Sequence, residues 1–213
     1  MMHNGLVIVD YGMGNTSSIM NMIRKVGGNA TISNDLLVLK NAKALILPGV
    51  GAFDNAIVKL QSLGIWEVLN QKVMNEKTPF LGVCLGMQLL FESSDEGELN
   101  GFGWLNGRVR RFDFSLKTST KILKVPHMGW NLVKPVNYDT LYSSLEKEAR
   151  FYFVHTYYAD CADASDVLAT AKHGHEFVCS INKGNIWGAQ FHPEKSHRFG
   201  MIFFENFLRL TQC

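Results

Sequence analysis

The sequence predicts an α/β protein: an open, mostly parallel sheet with antiparallel additions in its second half and helices on both faces. Three observations point there. Residues 6–10, 44–47 and 80–83 are short apolar runs without polar alternation, as strands buried on both faces require. Helical patterns lie between them, as parallel connections demand. Beyond residue 107 the chain changes to short strand-like runs separated by hairpin signals.

The first strand, 6–10, ends at Asp10-Tyr11-Gly12-Met13-Gly14-Asn15, a turn suited to capping a helix that runs to about Val26. The strand 44–47 closes on Pro48-Gly49-Val50-Gly51, and helical patterns follow over 54–63 and 65–75. The strand 80–83 runs into Cys84 and a helix-compatible stretch. Glycine-rich turns at Gly12, Gly49 and Gly82 all fall at carboxyl ends of strands, where parallel sheets place their sites. They are expected to face one crevice. In the second half, 107–111, 131–136, 150–155, 167–171, 177–181 and 185–188 read as strands, with a hairpin turn at Asn182-Lys183-Gly184-Asn185. A final helix over about 198–210 carries Met201, Ile202, Phe204, Phe207 and Leu208, a stripe that reads as a core face.

Composition narrows the class. With 213 residues, 46% hydrophobic and 19% charged, residues 1–213 read as a single globular domain. A formal charge of +2 gives no electrostatic case for nucleic acid, and no basic run is dense enough for a membrane surface. Met1-Met2-His3-Asn4-Gly5 is polar and enters a strand, so no signal peptide is expected, and no apolar run is long enough to span a bilayer. The expected location is cytoplasmic. Cys84, Cys161, Cys179 and Cys213 fit no finger or disulfide spacing. Neither a metal nor an organic cofactor is expected. A site built from His173 and His175 is the only metal alternative, and two histidines in a glycine turn are more simply exposed side chains.

Two runs carry chemistry. Gly82-Val83-Cys84-Leu85-Gly86 is a strand, a sharp turn and a helix start with a thiol at the apex, the cysteine form of a nucleophile elbow. Glycines flank the apex because a tight turn leaves no room for side chains beside it. A helix N-terminus also favours a thiolate. The second run is Gln190-Phe191-His192-Pro193-Glu194-Lys195-Ser196. A cysteine nucleophile needs a base, and the base needs a group to orient it. His192 and Glu194 supply those two types, two positions apart, with a stiffening proline between them.

Together these runs resemble the triad, or class I, glutamine amidotransferases. The resemblance narrows on Asp10-Tyr11-Gly12-Met13-Gly14-Asn15, Pro48-Gly49-Val50-Gly51-Ala52-Phe53, Pro126-His127-Met128-Gly129-Trp130-Asn131, Phe153-Val154-His155-Thr156-Tyr157-Tyr158 and His192-Pro193-Glu194-Lys195-Ser196. These are similar to the glutaminase subunits of imidazole glycerol phosphate synthases, in the same order along nearly the whole chain. The resemblance implies Cys84 as nucleophile, His192 as acid and base and Glu194 as its orienter. It implies an oxyanion hole from the backbone N–H groups of Leu85 and Val50, the latter after a peptide rearrangement. Gly51, Gln88, Glu96, Thr156 and Tyr157 would hold glutamine. Asn15, Trp130 and Lys195 would lie near a (β/α)8 synthase partner that receives the ammonia.

Three places leave the common pattern. Thr16-Ser17 follows Asn15 where a Leu is frequent, His173-Gly174 stands for a more usual Tyr-Gly, and His197 stands where Gly is usual. They keep open a paralogous subunit serving a related synthase in surface-sugar biosynthesis. A stand-alone cysteine hydrolase or peptidase would explain the elbow but not His127-Met128-Gly129-Trp130-Asn131. A catalytically idle binding protein would not need Cys84, His192 and Glu194 intact.

Overall fold

A computed structural model describes residues 5–114 and 123–213. The expectation for the N-terminal leader rests largely on residues 1–4, which lie outside the described residues. Five strands form a parallel core in the order β2 (Ala30–Ser33), β1 (Leu6–Val9), β3 (Ala44–Gly49), β4 (Phe80–Cys84) and β13 (Ile186–Ala189). The sheet continues antiparallel through β12 (His175–Lys183), β10 (Tyr157–Cys161) and β6 (Gly107–Arg111), with β5 (Ser93–Ser94) parallel at the edge. β11 (Val167–His173) pairs with β12 and with β8 (Lys134–Pro135).

The parallel strands bury both faces, as their unbroken apolar character requires. Leu6, Ile8, Ala44 and Ile46 face a core with Ile19 and Ile23 of α1 (Thr16–Lys25) and Phe203, Phe204 and Phe207 of α6 (His197–Thr211). Val7, Val9, Leu45 and Leu47 face Phe53, Ile57 and Leu60 of α3 (Phe53–Ser62) and Val68 of α4 (Ile65–Asn70). Alternate residues of one strand thus feed two cores. The short helices α2 (Leu36–Lys40) and α5 (Leu85–Gln88) complete the set, and a π-helical turn over Gln71–Asn75 extends α4. Among the described residues, no helix is long and apolar enough to cross a membrane.

Several sequence expectations shift. The sequence pattern places 185–188 among the antiparallel additions, yet β13 lies parallel against β4 and antiparallel only to β12. The run 131–136 splits: β7 (His127–Leu132) pairs with β9 (Arg150–His155) in a separate two-stranded sheet, whereas β8 joins β11. Val133 marks the break, its N–H bonded to the Ala149 carbonyl. The α6 stripe is buried at Phe204, Phe207 and Leu208 as expected and differs at its start. Phe203 is fully buried, and Met201 and Ile202 only flank the core. β2, β5 and β10 are strands that the sequence pattern does not announce. β2 is four residues of an edge strand, too short and too polar to signal itself.

Candidate active site

The site grows from the carboxyl end of β4. Cys84 sits there with φ 55° and ψ −110°, a conformation that costs a non-glycine residue on the order of 1–3 kcal/mol. Steric closure on both sides holds it. A Cβ on Gly82 would come within 2.5 Å of the Gly86 carbonyl oxygen, and one on Gly86 would collide with the Leu47 carbonyl. The following helix, α5, is a single turn whose first N–H groups point back toward the sulfur's end of the elbow. The other glycine-rich turns close on the same place. Gly14 packs against Pro48, Met13 against Gly51, and the Tyr11 hydroxyl against Gly49.

β13 brings the second run beside the first. Ala189 pairs with Val83 in parallel register, so the chain leaves β13 next to Cys84 and reaches His192. A 3-10 turn, Pro193–Lys195, folds Glu194 back under the buried imidazole. His192 Nδ1–H donates to Glu194 Oε1 at 2.8 Å. Ser196 Oγ donates to the His192 carbonyl at 2.6 Å and accepts from the Tyr152 N–H at 3.1 Å, which locks the turn. The carboxylate fixes the tautomer, leaving Nε2 as the reactive nitrogen. Among the described residues, Nε2 has no hydrogen-bond partner. Burial lowers the His192 pKa, but the nearby Cys84 sulfur and the Glu194 carboxylate outweigh it and raise it to about 10. The arrangement can carry a proton from a thiol and return it to a leaving group.

Val50, Gly51, Cys84, Leu85, Gln88, Glu96, Thr156, Tyr157 and His192 all line one cavity of about 330 Å³. Gln88 is buried rather than on a helix surface; its Nε2 donates to the Tyr157 carbonyl at 3.2 Å and to Gln190 Oε1 at 3.0 Å. Glu96 Oε2 accepts the Phe53 N–H at 3.0 Å, capping α3, and burial raises its pKa. Val50 is 47% exposed, and Gly51 takes φ +103°, which side-chain-bearing residues rarely adopt.

Sequence reasoning misses a polar chain behind this wall. His155 Nδ1–H donates to the Tyr157 carbonyl at 2.7 Å, so its Nε2 must accept from His127 Nδ1–H at 2.9 Å. His127 Nε2 in turn accepts from Asn131 Nδ2 at 3.1 Å, whose amide also donates to the Lys172 carbonyl. Burial holds His155 down to about 3, and burial together with His173 holds His127 down to about 4. His173 stacks on His127 at 4.3 Å and donates Nε2–H to the Lys124 carbonyl. The only sequence signal for the pair is that both residues sit inside motifs that carry the resemblance.

The expected partner residues do not form one cluster. Asn15 is exposed and caps α1, accepting the Ser18 N–H at 3.2 Å. Trp130 is half exposed and stacks face to face on His197, at 5.3 Å and 6°. Lys195 is exposed above the Tyr152 ring, which itself meets Trp130 edge-on. His197 has φ +45°, which explains why glycine would suit that position.

Residues 7–210 match the family described as "Glutamine amidotransferase class-I". The imidazole glycerol phosphate synthase subunit HisH 2 of Methanococcus maripaludis is 50% identical over 204 residues, covering 96% of this chain and 98% of that one. The HisH subunit of Leptospira borgpetersenii is 44% identical, covering 95% and 98%. The structure of PurLQS from Thermotoga maritima superposes with a TM-score of 0.69 over 98% of this chain and 99% of the matched one, at 20% identity, which speaks to the fold alone. The chain therefore belongs to the class-I glutamine amidotransferase family, among the HisH subunits of imidazole glycerol phosphate synthases.

Proposed function

We propose that this chain is the glutaminase component of an imidazole glycerol phosphate synthase in histidine biosynthesis, with Cys84, His192 and Glu194 as its catalytic triad. The observation that carries the reading is the single cavity joining Cys84 and His192 to Gln88, Glu96, Thr156 and Tyr157. Cys84 Sγ attacks the carboxamide carbon of glutamine and gives its proton to His192. The imidazolium hands that proton to the leaving nitrogen, the C–N bond breaks, and ammonia departs. Water then attacks the thioester with His192 as base; the C–S bond breaks, and glutamate and the free thiol result. Leu85 and Val50 N–H groups would stabilise the tetrahedral oxyanions. Glu194 accepts from Nδ1–H and keeps the imidazole oriented.

The ammonia serves a (β/α)8 synthase partner, which uses it with a phosphoribulosyl aminoimidazole nucleotide to make imidazole glycerol phosphate and an aminoimidazole carboxamide nucleotide. The exposed Trp130 and Lys195 support a docking face there. The test is to mix the chain with such a synthase and measure glutamine-dependent product. We expect turnover only in the mixture, and labelling by a glutamine-mimicking electrophile that Cys84→Ser abolishes. Peptide or general amide hydrolysis by the chain alone would overturn the reading.

A second reading is favoured by two observations. The Methanococcus maripaludis relative carries the numeral 2, marking one of a numbered set, and His173 and His197 leave the common pattern. A paralogous subunit feeding a related synthase in surface-sugar biosynthesis would run the same chemistry. The partner that restores turnover decides between them.

A further inference from the structure

Gln190 takes no part in the triad chemistry, yet its surroundings are unusual for a structural glutamine. It is fully buried at the end of β13. Its Oε1 accepts from Gln88 Nε2 at 3.0 Å, and its Nε2 lies 3.7 Å from Cys84 Sγ. The orientation of the amide follows from the network. Gln88 must present its NH₂ to the Tyr157 carbonyl, which can only accept, and the second proton of that NH₂ then requires an oxygen on Gln190. The Gln190 NH₂ is thereby turned toward sulfur. The backbone cannot drift either, because the Gln190 N–H is bonded to the Cys179 carbonyl at 2.9 Å.

We infer that Gln190 is a positioning residue for the nucleophile: its amide, locked from behind by Gln88, donates to the Cys84 sulfur, holds it aimed into the cavity and stabilises the thiolate that forms when the proton passes to His192. The contribution matters because the Gln190 amide lies within hydrogen-bond distance of the buried sulfur, at 3.7 Å. An N–H donor stabilises a thiolate more than a thiol, because a charged acceptor strengthens the bond. The same network ties nucleophile to substrate wall, since Gln88 bridges Gln190 to the Tyr157 carbonyl.

The sulfur's state is read directly by alkylation of Cys84 with iodoacetamide across pH, followed by mass spectrometry of the Cys84 peptide, with fold checked by circular dichroism. Gln190→Met keeps length and burial but removes the donor. It should shift the alkylation profile to higher pH and slow alkylation at neutral pH by about tenfold. Gln190→Glu, which turns an oxygen toward sulfur, should slow it further. An unchanged profile in folded Gln190→Met overturns the inference. If both variants fail to fold, the wild-type chain still answers by NMR. Side-chain amide protons of Gln190 should titrate with the alkylation midpoint, and their failure to move overturns the inference. The inference rests on the glutaminase reading only for its kinetic consequence, a fall in kcat with partner that exceeds the change in KM for glutamine. A wild-type chain inactive with every partner would sink that reading while leaving the alkylation result interpretable.

Discussion

Acid should weaken this fold through His127 and His155, and the size of the effect follows from their hydrogen bonds. Each imidazole already spends its single N–H, on the His155 ring and on the Tyr157 carbonyl, and each remaining nitrogen accepts a proton from a neighbour. An added proton on either ring has no acceptor and must displace a donor. With native pKa values near about 4 and about 3 against an unfolded 6.5, the unfolded chain binds more protons between those limits. Stability therefore rises with pH across that window and is lost as pH falls from about 6.5 toward 4. For His127 alone the linkage amounts to about 2 kcal/mol between pH 8 and pH 5. His192 works the other way. Its raised pKa contributes stability that is full below its unfolded value and fades as pH climbs through about 10, so a bare pH scan would mask His127. The comparison with His127→Asn removes that interference, because this variant's amide nitrogen stands where Nδ1 stands, donates toward His155 and has no titration of its own. Urea unfolding of both proteins at pH 8 and pH 5 is the assay. The advantage of wild type over the variant should shrink by about 2 kcal/mol at the lower pH. A difference that stays constant, or grows, would refute the neutral-pair reasoning.

Replacing Glu194 with Gln keeps the shape of the turn but removes the charge under His192. Steady-state glutamine hydrolysis with the partner should fall by about 10²–10⁴-fold, with alkylation of Cys84 at neutral pH slowed as well. Unimpaired turnover would show that the carboxylate only braces the turn. His197→Gly relieves a left-handed conformation costing about 1–2 kcal/mol but forfeits an aromatic stack of about 0.5–1.5 kcal/mol, so the melting temperature should move by only a few degrees. Calorimetric titration against the synthase should nonetheless show weaker binding, because Trp130 loses the ring that supports it. Unchanged affinity would remove this stack from the docking face.

Much of the site is legible in the sequence because tight geometry leaves narrow residue signatures. Gly82-Val83-Cys84-Leu85-Gly86 can be read as an elbow because backbone contact with Gly86 and Leu47 tolerates nothing larger than glycine. The tie between His192 and Glu194 is legible for a similar reason: a proline-led turn places the carboxylate within reach of the ring, a local event. Gln190, His127 and His155 are not legible in their roles. A glutamine or histidine looks the same in sequence whether it faces solvent, core or sulfur, and only its partners tell.

The order of glycine turns, the two reactive runs and the apolar strands between helices were written in the chain itself, because each depends on neighbours a few residues away. The meeting of Cys84 with His192 was not. It required β13, a short run in the antiparallel half, to dock parallel beside β4 with Ala189 opposite Val83. Pairing across so long a loop is set by how both faces of the whole sheet are covered, and no local pattern encodes that.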